Sequence, residues 1–161
     1  MNVESSNLDP KVHLPASFDP GGFRMRVHHL GVAVEDMELA VRTYCKTLGM
    51  RILSGPIDDP LQRVRVCFLG TTLPGDAVVE LISSLGDQSP IDKYLRKEIG
   101  AYHLCYEVDD LHAALIHMRS EGCLLVSGPV PATAFDGRQI AWLYLPTRHL
   151  VELVEMPKQE G

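Results

Sequence analysis

An internal repeat constrains this chain more than any other feature: residues 27–56 can be laid over residues 101–129. Spaced 74 residues apart, His29-Leu30 meets His103-Leu104, Val34 meets Val108, Asp36-Met37 meets Asp110-Leu111, and Ala40 meets Ala114. Spaced 73 apart, Gly49 meets Gly122 loosely and Gly55-Pro56 meets Gly128-Pro129 cleanly; spaced 72 apart, Val79-Glu80-Leu81 meets Val151-Glu152-Leu153. The slow drift is what small loop deletions between two related modules produce.

Each copy reads as the same run of elements. Residues 28–34 and 102–108 are short apolar, β-prone segments and are predicted as strands. Asp36 and Asp110 then stand where a helix N-cap is wanted, ahead of Met37, Val41, Tyr44 and Leu48 in one copy and Leu111, Ala114, Leu115 and Met118 in the other. Gly49 and Gly122 are the expected C-terminal stops. Three strand-like runs follow each helix: residues 50–54, 64–69 and 77–83, then 124–127, 139–145 and 150–155. The expected fold class is therefore α+β, two βαβββ modules at residues 27–85 and 101–156 forming an open cup. Between them, Ser89-Pro90 and Asp92 supply an N-cap, a first-turn proline and an acid, predicting a short connecting helix over about residues 89–98.

At 161 residues, with 45% hydrophobic and 22% charged positions, the chain fits one domain of an ordinary soluble protein, expected over residues 25–157. A net charge of −6 with scattered Arg and Lys gives no basic stripe for nucleic acid, and no stretch suggests a membrane partner. Cys45, Cys67, Cys105 and Cys123 lie far apart with no CxxC pair, which points to a reducing, cytoplasmic setting. Residues 1–24 carry Asp9-Pro10, Pro15 and Asp19-Pro20-Gly21-Gly22 but no basic start or apolar run, so they read as a leader or surface arm rather than a signal peptide.

The chemistry rests on four residues. His29 alternates with Gly31 and Ala33, small neighbours that leave room around it; His103 alternates with Cys105 and Glu107. Glu80 and Glu152 each interrupt an otherwise apolar strand, and a buried lone carboxylate costs several kcal/mol or changes its pKa. A divalent cation answers that cost, and two His with two carboxylates suit Zn, Ni, Co or Mn. If the modules pack about a pseudo-two-fold axis, His29, Glu80, His103 and Glu152 converge on one centre. Strand alternation alone allows either carboxylate to face solvent instead. His13, His28, His112, His117 and His149 read as surface or satisfied core histidines; Glu107, without a counterpart in the first module, reads as exposed or as a pocket wall.

With these residues in place, the sequence resembles the vicinal-oxygen-chelate superfamily, with its glyoxalase-like fold, over about residues 27–156. Within it the similarity is to the methylmalonyl-CoA epimerases, through His29-Leu-Gly-Val-Ala-Val, Val79-Glu80-Leu81-Ile82 leading into Ser89-Pro90-Ile91-Asp92-Lys93-Tyr94-Leu95, and His103-Leu104 running to Glu107-Val108-Asp109-Asp110-Leu111. The resemblance implies that His29, Glu80, His103 and Glu152 are metal ligands, Glu80 standing where some epimerases have Gln. It implies proton abstraction beside a thioester or related carbonyl, with Glu152, alternatively Glu80, as the base, a small-molecule substrate such as an acyl-CoA, and a homodimer. Residues 145–150 are shorter than the family's His-Pro-Lys and Gly-Gly-Val segment, and residues 58–66 offer no clear second base, so the substrate stays open. A glyoxalase I-like lyase, a tailoring enzyme of secondary metabolism and an antibiotic-binding protein are the rival readings on the same fold.

Overall fold

The structure, a computed structural model, describes residues 22–71, 73 and 75–158. Most of the leader expected over residues 1–24 lies outside the described residues. The first module comprises β1 (Met25–Ala33), α1 (Met37–Leu48), β2 (Arg51–Asp59), β3 (Val64–Gly70) and β4 (Val78–Ser84). A one-turn helix α2 (Asp92–Leu95) precedes the second module of β5 (Ala101–Val108), α3 (Leu111–Ser120), β6 (Leu124–Pro131), β7 (Gln139–Tyr144) and β8 (Leu150–Glu155), with a 3-10 turn at Thr133–Phe135.

The helix signals act as read. Asp36 accepts a hydrogen bond from the Leu39 N–H at 2.9 Å, and Asp110 accepts one from the Ala113 N–H at 2.9 Å. Gly49 closes α1 in the left-handed region at φ 67°. α3 ends on Glu121, one residue before Gly122, which holds a positive φ of 85°.

The connecting helix is shorter than expected. Ile91 and Tyr94 pack into the core beneath it, and the chain is held by i to i+3 bonds, including Tyr94 N–H to Ile91 O and Lys97 N–H to Tyr94 O. One α-helical turn, closed by the i to i+4 bonds Leu95 N–H to Ile91 O and Arg96 N–H to Asp92 O, gives way to tighter i to i+3 turns at Lys97 and Glu98. Ser89 does not cap it: its hydroxyl is buried without a described partner, and Asp92 instead accepts from the Ser84 hydroxyl at 2.5 Å.

The eight strands form one curled sheet in the order β2-β3-β4-β1-β5-β8-β7-β6. That order is the same read from either end once one module is exchanged for the other. β1 pairs antiparallel with β5 at the centre, with Gly31 opposite His103 and His29 opposite Cys105, a register that maps onto itself under the repeat. β4 lies parallel to β1 with Glu80 beside Gly31, and β8 lies parallel to β5 with Glu152 beside Cys105.

Strand alternation gives the sheet two apolar faces. On one, α1 covers Cys67, Leu69 and Leu81 through Met37, and α3 covers Leu143, Val151 and Leu153 through Leu111, Ala114 and Leu115. The other face carries Val66, Phe68, Ile82, Ile140 and Val154, closed by Ile91, Ala132 and Phe135. Glu80 and Glu152 belong to this second, concave side.

Candidate metal centre

His29, Glu80, His103 and Glu152 meet on the concave face, and all four come from this one chain. They are 1%, 5%, 3% and 3% exposed, so the two carboxylates are buried rather than turned to solvent. The His29 Nε2 atom lies 3.1 Å from His103 Nε2, 3.0 Å from Glu80 Oε2 and 3.4 Å from Glu152 Oε2. His103 Nε2 lies 3.7 Å from Glu80 Oε2 and 3.5 Å from Glu152 Oε2.

These separations fit a small cation. Ligand atoms about 2.1 Å from one ion stand about 3.0 Å apart at octahedral edges and about 3.4 Å apart at tetrahedral ones. Two histidines brought nitrogen to nitrogen inside a core, with Glu152 Oε2 buried and lacking a hydrogen-bond partner among the described residues, are the donor set that a divalent ion satisfies.

Electrostatics tie the four groups together in the metal-free state. Burial pulls the His29 imidazole down, but the Glu80 charge and the contacts with both carboxylates outweigh it and lift its pKa to about 10. Burial pushes the Glu152 carboxyl up, yet His103 and His29 overcome this and hold it at about 2. A second group of possible ligands, His28, His29 and Cys105, shares His29. Burial first, then the charges of Glu152 and Glu80, drives the Cys105 thiol well above its ordinary pKa.

Aromatic rings fix the two imidazoles. His29 stacks on Phe135 at 6.1 Å between centroids and meets Phe68 edge-on at 5.5 Å, while Trp142 and Tyr102 contact the His103 ring at 4.8 and 4.6 Å.

Two residues given ordinary readings from sequence sit directly behind this cluster. His28 Nδ1 lies 2.8 Å from His29 Nδ1, and its Nε2 faces Glu107 Oε1 at 3.8 Å. Glu107 is buried and held by Arg26 at 2.6 Å and Arg138 at 3.0 Å. Although burial opposes ionisation, those two arginines keep Glu107 below the ordinary carboxylate range. Burial, reinforced by the neighbouring His29, holds His28 below the usual imidazole range. The signal for Glu107 in the sequence is its alternation with His103 and Cys105 along one strand. His28 carried no such signal, since adjacent residues of a regular strand face opposite sides.

Above the cluster a cleft of about 330 Å³ opens between β3, β4, α2 and the Thr133–Phe135 turn. Its wall is largely aliphatic and aromatic, including Val66, Ile82, Ile91, Tyr102, Ile140 and Trp142, with Glu80 and Glu152 at its floor and Arg63 and Lys93 supplying positive charge. Asp59, also lining it, accepts hydrogen bonds from the backbone N–H groups of Gln62 at 2.9 Å and Thr133 at 2.8 Å, joining β2 to the opposite module.

This curled sheet with a four-residue centre defines a class, and comparison with known proteins agrees: residues 28–142 match the Glyoxalase/Bleomycin resistance protein/Dioxygenase superfamily, and the chain belongs to it. Among its relatives is the ethylmalonyl-CoA/methylmalonyl-CoA epimerase of Cereibacter sphaeroides, 35% identical over 121 residues, covering 74% of this chain and 87% of the relative. The crystal structure of methylmalonyl-CoA epimerase from Mycobacterium tuberculosis superposes with a TM-score of 0.70 at 33% identity, over 82% of this chain and 89% of that one. A methylmalonyl-CoA epimerase in complex with methylmalonyl-CoA and ammonium gives 0.70 at 25% identity, over 85% and 98%.

Proposed function

We propose that this protein is a metal-dependent epimerase that moves the α-proton of a 2-alkylmalonyl thioester, with His29, Glu80, His103 and Glu152 as the ligands of a Co, Mn, Ni or Zn ion. The observation that carries the reading is the buried cluster of two His and two Glu at the floor of an apolar cleft, in a chain whose relatives are epimerases of this class. Bound there, the ion supplies a Lewis acid for the negative charge that develops on the substrate carbonyl.

The chain supplies the rest. The cleft is large enough for the acyl end of a thioester, and Ile82, Ile140 and Trp142 give it apolar walls. Arg63 and Lys93 offer cations to the substrate carboxylate or to the phosphates beyond it. Glu152 takes the α-proton as general base on one face, and a proton from Glu80 or from solvent is returned to the planar carbon on its other face. Glu80 is the alternative base, since the two carboxylates reach the centre from opposite modules.

The test is solvent deuterium exchange at the α-carbon of methylmalonyl-CoA and ethylmalonyl-CoA with added Co or Mn. Exchange that falls at least 100-fold in Glu152→Gln supports the assignment; exchange no faster than with the metal-free protein overturns it. Turnover of the methylglyoxal–glutathione adduct in the same preparation would move the reading to a lyase.

We infer also a homodimer, supported by the exposed aliphatic side chains of Ile52, Leu53, Leu124 and Val126 on the two edge strands, and checked by sedimentation equilibrium. Among the described residues no helix is long and apolar enough to cross a membrane. A cytoplasmic setting is supported by four cysteines that remain free thiols.

A further inference from the structure

The central strand pair carries two bulges related by the repeat. Between Val27 and His29 two steps on β1 oppose one on β5, and between Gly31 and Val32 one step on β1 opposes two on β5. The extra residues are His28 and Tyr102, which stand 74 positions apart and occupy the same place in the two modules. Each is turned by its bulge toward the concave side, beside the site histidine that follows it: the His28 and His29 rings are 5.1 Å apart, and those of Tyr102 and His103 4.6 Å.

The chemistry at the two places differs. His103 Nδ1 is buried without a hydrogen-bond partner among the described residues, whereas His29 Nδ1 is 2.8 Å from His28 Nδ1. Two imidazole nitrogens at that distance share one proton, so one donates and the other accepts. His29 Nε2 faces the carboxylates and His103, and it can ligate only if it carries a lone pair. Its proton must then sit on Nδ1, and His28 Nδ1 must be the acceptor. His28 in turn carries its proton on Nε2, which faces the Glu107 carboxylate in electrostatic rather than hydrogen-bonding range, at 3.8 Å. Arg26 and Arg138 hold that carboxylate in place and ionised. Every donor and acceptor in the row then points one way, from the centre outward.

We propose that His28, backed by Glu107, is a positioning residue that fixes the tautomer and ring orientation of His29 for metal binding, and that the second module has no equivalent for His103. The proposal rests on the metal reading above. Groups behind a ligating histidine contribute on the order of 10–100-fold to metal affinity, so the effect is measurable without any assay of turnover.

The experiment compares Co(II) dissociation constants, by competition with a chromophoric chelator, for the wild type, His29→Ala, His28→Leu, His28→Gln and Glu107→Gln, together with Co(II) visible spectra and the melting of each metal-free protein. His28→Leu should bind about 10–100-fold more weakly with an altered spectrum. His28→Gln should recover to within a few-fold, since its amide oxygen accepts from His29 and its amide NH₂ donates toward Glu107. Equal affinity in the wild type and both His28 variants, or equal loss in Leu and Gln, overturns the positioning role. Should His28→Leu melt below the assay temperature, Glu107→Gln decides: weakened binding supports the proposal and wild-type binding overturns it. Absence of binding by the wild type itself overturns the metal reading instead, and wild-type affinity in His29→Ala moves the ion elsewhere.

Discussion

The imidazole of His103 occupies the space that a side chain on Gly31 would fill: a Cβ there would stand 1.8 Å from His103 Cε1 and 2.2 Å from Nδ1. The two residues face each other across the β1–β5 seam. A hydrogen in place of a side chain on β1 is thus what lets the candidate ligand from the other module lie flat over the strand. Gly31→Ala forces the ring out of the cluster, since the facing backbone is fixed by the sheet. Overpacking of this kind costs about 1–3 kcal/mol. Urea denaturation should show that loss, and metal titration should show a collapse of affinity larger than the stability change explains.

In the metal-free protein His29 is lifted to about 10 and carries its proton at neutral pH. A metal ion must displace that proton, so isothermal titration in buffers of different ionisation enthalpy should report about one proton released per ion at pH 7. Affinity should rise about tenfold per pH unit through this range; a flat pH profile contradicts the assignment of His29 as a ligand.

His29 and Glu152 together set the pH dependence of the metal-free fold. His29 is raised from 6.5, so its contribution is complete below pH 6.5 and is lost as pH climbs through about 10. Glu152 is lowered from 4.5, so its contribution is complete above pH 4.5 and is lost as pH falls through about 2. Thermal melts with chelator present should therefore peak between pH 4.5 and 6.5, and Glu152→Gln should flatten both limbs.

Asp59 holds the cleft wall. Asp59→Ala leaves the Gln62 and Thr133 N–H groups without their acceptor, each such loss costing about 1–3 kcal/mol where water cannot replace it. Denaturant midpoints should drop accordingly. Since the Thr133–Phe135 turn carries the ring that stacks on His29, KM should rise more than kcat falls.

The helix caps provide a local control. Asp36→Ala and Asp110→Ala each remove one cap hydrogen bond and should cost about 1 kcal/mol in denaturation, with metal affinity unchanged. A large loss of affinity from either variant would mean that the helices transmit strain to the sheet.

Repetition and periodicity made the modules, the helix starts at Asp36 and Asp110, and the four buried ligand candidates legible in the residues alone, because each of these depends on local spacing or on a charge where only apolar side chains belong. Family similarity, carried by the same residues, supplied the reaction class. The facing of Glu80 and Glu152 was another matter: a period of two is satisfied by either face, and only the packing of α1 and α3 on one side of the sheet assigned the carboxylates to the other. The end of α2 was likewise decided by the structure, where i to i+3 turns at Lys97 and Glu98 take over from the helix. His28 was decided furthest from the sequence. A β-bulge depends on how two strands distant in the chain slip past one another, so only the pairing of β1 with β5 could turn that side chain toward His29 and place Glu107 behind it.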